Sequence, residues 1–199
     1  MTPRVPTPRS APESTGPVER WYRRLGWTSV TVPGTGGATP LRLAAGLRFD
    51  VLELPAEAGF AVLRALRPRC PVALQDDTVR LLVAVGGADE LPGLLAWLEW
   101  GELPLGLTAL GAGGCMDAPL PPGPHPRGTS MGQGAAVWLR PPEPGSPVEA
   151  TLPALPSPAA PHRPTAGPDL VRLVTTAATQ CHRVGLRGRG AQRWASSYA

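Results

Sequence analysis

Apolar and polar residues alternate with clear periods through the first half of the chain, and these periods predict the elements. Val18 to Leu25 has apolar residues one turn apart, which predicts a short helix, and Trp27 to Val32 alternates as a strand does. Leu47 to Leu54 (LRFDVLEL) is the clearest strand pattern, and it ends at Pro55. Leucines and Phe60 at helical spacing then predict a helix from Ala56 to Arg67.

The following residues predict a hairpin, a helix and two further strands. The predicted segments are strands Pro71–Gln75 and Thr78–Gly86 joined by the turn Asp76-Asp77, a helix Glu90–Trp100 capped by Asp89, and strands Leu103–Leu110 and Ala136–Leu139. This order mixes crossover helices with a hairpin. The fold class that it predicts is α+β, a mixed sheet with helices packed on it.

Proline and glycine, 27 and 24 of 199 residues, divide the chain into five parts. Proline-rich segments bury too little apolar surface to offset their ordering entropy. The expected parts are a disordered arm (1–17), the α+β domain (18–140), a proline-rich linker (141–168), a separate C-terminal helix (169–186) with Asp169 as its N-cap, and a basic disordered tail (187–199).

The composition indicates a small soluble protein of a GC-rich bacterium. Every basic side chain is an arginine, and lysine, asparagine and isoleucine are absent, which codon bias explains more readily than selection for guanidinium groups. The net charge of +4 permits contact with nucleic acid without requiring it. Three scattered cysteines do not form a disulfide framework, and no secretory signal or membrane span is evident, so we expect a cytoplasmic protein.

Most catalytic classes lack their residues in this sequence. Gly111 to Gly114 has the glycines of a phosphate-binding loop but no lysine follows it, and no Gly-x-Ser-x-Gly motif occurs. Two of the three histidines, His125 and His162, lie in proline-rich stretches that cannot hold a general base in place. No cofactor is implied, and the sequence argues against an enzyme.

Asp50 and Glu53 are the candidate metal ligands, because two carboxylates on one strand can hold a divalent cation. Side chains alternate along a strand, so residues three apart point to opposite faces. The pair is therefore misspaced for one ion unless a bulge intervenes, and structural carboxylates are the simpler interpretation.

Arginines near the C-terminus are the candidate nucleic-acid-binding residues. Arginines separated by glycines, with an aromatic residue nearby, suit contact with phosphates and stacking on bases, and the set is Arg183, Arg187, Arg189, Arg193 and Trp194. A solvated tail without a partner is the alternative.

Four segments, LRFDVLELPAEAGFAVLRAL, LLVAVGG, LPGLLAWLEWG and LGAGGCMDAPLPPG, together resemble the N-terminal domain of actinobacterial bifunctional DNA primase/polymerase-like proteins. The resemblance covers roughly Trp21 to Leu139. Active members hold metal with acids at alternate strand positions and use a Ser-x-His motif. Asp50 matches the first acid, Glu53 is displaced by one position, and Ser130-Met-Gly stands nearest to the Ser-x-His motif without being equivalent. The resemblance therefore implies a degenerate member.

Three functions follow as hypotheses. The first is a non-catalytic accessory or regulatory protein with a primase/polymerase-like domain that binds DNA. The second is an interaction scaffold whose proline-rich linker binds other proteins, without nucleic acid. The third, an active template-dependent polymerase, ranks last. Oligomeric state does not follow from the sequence.

Overall fold

The structure, a computed structural model, describes residues 16–31, 40–123, 135–156 and 168–196, with side chains given as far as residue 188. The disordered arm that we expect at residues 1–17 lies almost wholly outside the described residues. The helices are α1 (Pro17–Arg24), α2 (Ala56–Leu66), α3 (Gly87–Trp97) and α4 (Leu170–Ser196), with a short 3₁₀ helix at Val148–Ala150. The strands are β1 (Ser29–Thr31), β2 (Leu41–Ala44), β3 (Asp50–Pro55), β4 (Val72–Gln75), β5 (Thr78–Val83), β6 (Thr108–Leu110), β7 (Cys115–Asp117) and β8 (Val137–Arg140).

The strands form two antiparallel sheets. A five-stranded sheet has the order β6-β3-β5-β4-β8, and a three-stranded sheet has the order β1-β2-β7. The α+β class is confirmed. The sequence analysis missed β2 and β7, and it began β3 three residues early, because residues 45–48 form a bend.

Alternation along β3 and β5 separates the two faces of the large sheet. Asp50, Leu52 and Leu54 pair with Val83, Leu81 and Val79, and all but Asp50 of these are apolar. Helices α2 and α3 both pack on this face. A Cβ on Gly59 of α2 would stand 2.4 Å from Val79, and a Cβ on Gly87 of α3 would stand 3.0 Å from Val83. The opposite face carries Glu53 paired with Arg80.

The C-terminal helix belongs to the domain core, although we expected it to be separate from the domain. α4 contacts α2, α3 and β3, so it packs against both of these helices and the sheet. Its apolar stripe is fully buried, at Leu170, Leu173, Val174, Ala177, Ala178 and Cys181. Asp169 caps it as predicted, its Oδ1 accepting the Arg172 N–H at 2.7 Å. The expected division into a domain and a separate helix therefore does not describe the packing.

The expected proline-rich linker is wrong for residues 141–156. Val148 and Leu152 are buried in the core, and Pro153 O accepts the Ala84 N–H at 2.9 Å. Two buried apolar residues and a backbone hydrogen bond thus hold this segment against the domain. Residues 157–167 of the predicted linker lie outside the described residues.

An aromatic cluster fills the core on the Glu53 face. Trp27 contacts Phe49 with ring centroids 4.7 Å apart, and it also contacts Tyr22 and Trp138. The buried Tyr22 hydroxyl donates to Pro119 O and accepts the Trp138 indole N–H at 3.1 Å. Burial raises the pKa of Tyr22 far above its usual range, so this phenol is a structural donor.

Candidate functional site

Asp50 is a structural carboxylate that fastens α3 to the sheet. The residue is 1% exposed, and its Oδ2 accepts the Ala88 N–H at 3.0 Å. The predicted helix is present, but its bounds and cap are wrong: it runs from Gly87 to Trp97 with Pro92 inside it, and its N-cap is Gly86, which has no side chain to accept a bond. Asp50 supplies the missing acceptor from a strand 38 residues away, where a negative charge also complements the helix dipole.

Glu53 lies on the other face of the sheet and has different partners. Its Oε1 accepts the Arg80 Nε–H at 2.6 Å, and Arg80 also donates to Gln75. The two candidate metal ligands are therefore not brought together, as their spacing of three predicts. Within the described ranges, no three side chains of His, Cys, Asp or Glu are grouped as metal ligands would be.

A polar network that the sequence analysis missed joins the two sheets. Gln75 Nε2 donates to Asp117 at 2.8 Å, and Arg42 Nε donates to the same carboxylate at 2.9 Å. Arg42 also contacts Cys115 Sγ at 3.5 Å, and this contact, followed by Asp117, raises the pKa of Arg42. Alternation could have placed each residue on a face, but the pairing needs the contact between sheets.

A cleft of about 330 Å³ opens where this network ends, beside Glu53, Arg80, Asp77 and Thr108. Asp76 and Asp77 form the predicted turn between β4 and β5, with Asp76 in the left-handed region at φ 48°. Thr108 Oγ1 lies 3.5 Å from Glu53 Oε2, and Arg80 already pairs with Glu53. The carboxylate and the guanidinium thus neutralise each other inside the cleft.

Buried thiols leave little nucleophilic chemistry in the core. Burial raises the pKa of Cys70 to about 12 and that of Cys181 to about 11, which keeps both thiols protonated at neutral pH. Among the histidines, His182 lies on α4 with its ring 5.4 Å from that of Trp100. His125 and His162 lie outside the described residues.

α4 carries the candidate basic residues, and its extent corrects the expected tail. The helix runs for 27 residues to Ser196, about 40 Å at 1.5 Å per residue, so residues 187–196 are helical. Arg183 and Arg187 are exposed one turn apart, on the side away from the buried stripe. Arg187 forms an exposed ion pair with Glu57 of α2.

The remaining members of the set, Arg189, Arg193 and Trp194, are placed only by their helical backbone, because their side chains lie outside the described residues. α4 leaves the core after Val184: Leu186 is 52% exposed, and Arg187 and Gly188 are also exposed. The basic segment is therefore the end of a helix whose first half is anchored in the core.

Electrostatic asymmetry separates α4 from the rest of the molecule. The helix contains five arginines (172, 183, 187, 189 and 193) and neither aspartate nor glutamate. The whole chain has a net charge of +4, so setting these five charges aside leaves −1 for everything else. The net positive charge of the protein thus resides on one helix.

None of the described helices is long and apolar enough to cross a membrane. Comparison of the chain with protein-family models, with curated proteins and with solved structures finds no match.

Proposed function

We propose that this is a non-catalytic, DNA-binding accessory or regulatory protein of the cytoplasm, whose α4 contacts phosphates and whose domain resembles that of DNA primase/polymerases. The observation that supports it best is the concentration of the net positive charge on α4. Phosphate contacts supply most of non-specific DNA affinity, and arginine provides the planar donors that suit them.

The geometry of α4 suits such a contact. Its first half is held by buried apolar residues, so the exposed arginines of the second half are presented on a defined axis. The partner of Arg187 among the described residues is the exposed Glu57, and exposed ion pairs contribute little, so a phosphate can replace that carboxylate.

The separate partners of Asp50 and Glu53 support a protein without catalytic activity. Asp50 is occupied with Ala88 and Glu53 with Arg80, on opposite faces of β3, which removes the support for a shared metal site. The scaffold alternative also loses support, because residues 141–156 of its proline-rich segment pack against the domain.

Salt-dependent binding tests the proposal. Fluorescence anisotropy with a labelled 20-base-pair duplex is measured at several salt concentrations. If four arginines contact phosphates, the slope of log affinity against log salt is about −3 to −4. Replacing Arg183 and Arg187 together with glutamine lowers the magnitude of the slope by about 2 and keeps good helix formers at both positions.

A matched control is available on α1. Arg20 and Arg24 are also exposed and one turn apart, so their double glutamine variant removes the same charge elsewhere. We expect that variant to bind DNA with nearly the affinity of the wild type, and the slope of log affinity against log salt to change little. Equal losses in both double variants would mean that only net charge matters, and no binding at low salt would refute the proposal.

A further inference from the structure

The end of α3 turns Trp100 towards the basic helix. Glu99 adopts the left-handed conformation at φ 64°, its N–H donates to Ala96 O at 3.1 Å, and the Trp100 N–H donates to Leu95 O at 2.8 Å. This is a Schellman helix end, which folds the residue after the turn back over the last helical turn. Trp97 lies in that last turn, three residues before Trp100.

Contact between rings places this helix end beside the arginines of α4. The Trp100 ring lies 5.4 Å from the His182 ring, and His182 immediately precedes Arg183. At the other end of α3, Leu170 Cδ2 stands 3.4 Å from the position of a Cβ on Gly87. The two helices therefore run side by side in the same direction, and the C-terminal end of α3 meets the point where α4 leaves the core.

Trp97 remains uncovered at this junction. Its exposed fraction is 73%, the highest among the exposed large apolar side chains of the described residues. Burying an indole is strongly favourable, so an exposed one near the helix end that contacts His182 is suited to binding a ligand. Its neighbour Trp100 is half-buried against the core and cannot take the same part.

We propose that Trp97 and α4 together form a binding surface for single-stranded nucleic acid, with a base stacked on the Trp97 indole and a phosphate on Arg183. This inference rests on the proposed function and narrows its ligand. An unpaired base exposes its face to an aromatic side chain, whereas the bases of a duplex are already stacked on each other. A cationic track beside an aromatic platform matches the alternation of phosphate and base along a single strand.

Neighbouring acids determine the direction of the strand. Glu99 and Glu102 follow Trp97 within five positions and are exposed, so we expect them to repel phosphates on that side. The backbone of the ligand therefore lies towards α4, and only the base reaches the indole. Glu99→Gln removes one repulsive charge, so we expect it to raise the affinity for single strands.

Binding to matched oligonucleotides tests the inference with the full chain. Anisotropy at one low salt concentration compares a 20-nucleotide thymidine strand, the corresponding uridine strand and a 20-base-pair duplex. The wild type is expected to prefer both single strands. Trp97→Ala lowers single-strand affinity on the order of tenfold without changing the salt slope, while Trp97→Phe retains most of it. Leu139→Ala, an exposed apolar truncation on β8, serves as the control and leaves binding unchanged.

The outcomes separate this inference from the proposed function. Equal affinity for strand and duplex, with Trp97→Ala neutral, overturns the stacking site and leaves the phosphate contact of α4 standing. Absence of all nucleic-acid binding in the wild type refutes the proposed function itself. Circular dichroism and thermal unfolding of each variant confirm its fold, and a rise in affinity with Glu99→Gln supports the site without truncating an aromatic residue.

Discussion

Replacing Asp50 tests whether the best candidate metal ligand is in fact a structural acceptor. Oδ2 of this buried carboxylate accepts the Ala88 N–H at 3.0 Å, whereas Oδ1 is buried without a partner among the described atoms. Asp50→Ala removes the acceptor at the start of α3. Asp50→Asn keeps a carbonyl oxygen in nearly the same place and removes the charge.

The structure sets the size of each effect. Asp50→Ala leaves a backbone N–H of α3 without its acceptor and opens space in the core, so we expect the free energy of unfolding to fall by about 1–3 kcal/mol. Asp50→Asn loses the favourable charge at the helix N-terminus but also removes the cost of burying a charged group, so we expect a smaller change, under about 1 kcal/mol.

Urea unfolding followed by circular dichroism measures both variants, and thermal unfolding checks them at about 2–4 °C per kcal/mol for a chain of this size. The wild type is also melted with and without magnesium or manganese, and we expect no shift. An alanine variant as stable as the wild type would refute the capping role. A cation-dependent rise in melting temperature that disappears in Asp50→Asn would restore the metal site and the catalytic hypothesis with it.

Two further predictions concern the core. Gly59→Ala places a Cβ 2.4 Å from Val79, so we expect urea unfolding to show a free energy of unfolding lower by about 1–3 kcal/mol. Gly93→Ala in α3, whose Cβ meets nothing within 4 Å, should raise the free energy of unfolding by about 1 kcal/mol. The reverse order would mean that α2 does not approach β5 so closely. Burial raises the pKa values of Cys70 and Cys181 above their ordinary value of 9.0, so above pH 9 the native state keeps protons that the unfolded state loses. The contribution of each thiol to stability is therefore full below pH 9. Above pH 9 the free energy of unfolding falls by about 1.4 kcal/mol per pH unit for each thiol. Urea unfolding between pH 9 and 10.5 should therefore show a shallower decline in Cys181→Ala, and an identical decline would contradict the burial of that thiol.

Local sequence patterns predicted the elements whose conformation depends mainly on nearby residues. The spacing of apolar residues predicted α1, α2 and β3 to within a few residues, and Asp169 was recognisable as a cap because its acceptor and donor lie three residues apart. The opposite orientation of Asp50 and Glu53 followed from alternation alone.

Elements that depend on distant partners were beyond such patterns. β2 and β7 are four and three residues long, and they pair with each other across more than 70 positions of sequence, while β2 also pairs with β1. α4 was expected to end at residue 186, but it continues through glycines at 188 and 190, which are poor helix formers. A helix nucleated and anchored upstream extends through them more easily than it could start there.

The residues of the candidate site also differ in whether the sequence could predict them. The arginines of α4 were found from composition, whereas Trp97 was not, because a tryptophan among leucines in a helix indicates a core residue. Its exposure depends on how α3 is rotated against α4 and the sheet, and no local sequence signal encodes that rotation. The ring contact between Trp100 and His182 joins residues 82 positions apart.

Hydrogen–deuterium exchange, with and without a saturating oligonucleotide, tests most directly whether α4 is the nucleic-acid contact. The second half of α4 lies beyond the core and contains three glycines, so its amides should exchange quickly in the free protein. The account predicts that a bound strand protects the amides of residues 183–196, while those of β3 and β5 are unchanged. Protection of the Glu53 face of the sheet, with α4 exchanging as before, would contradict it.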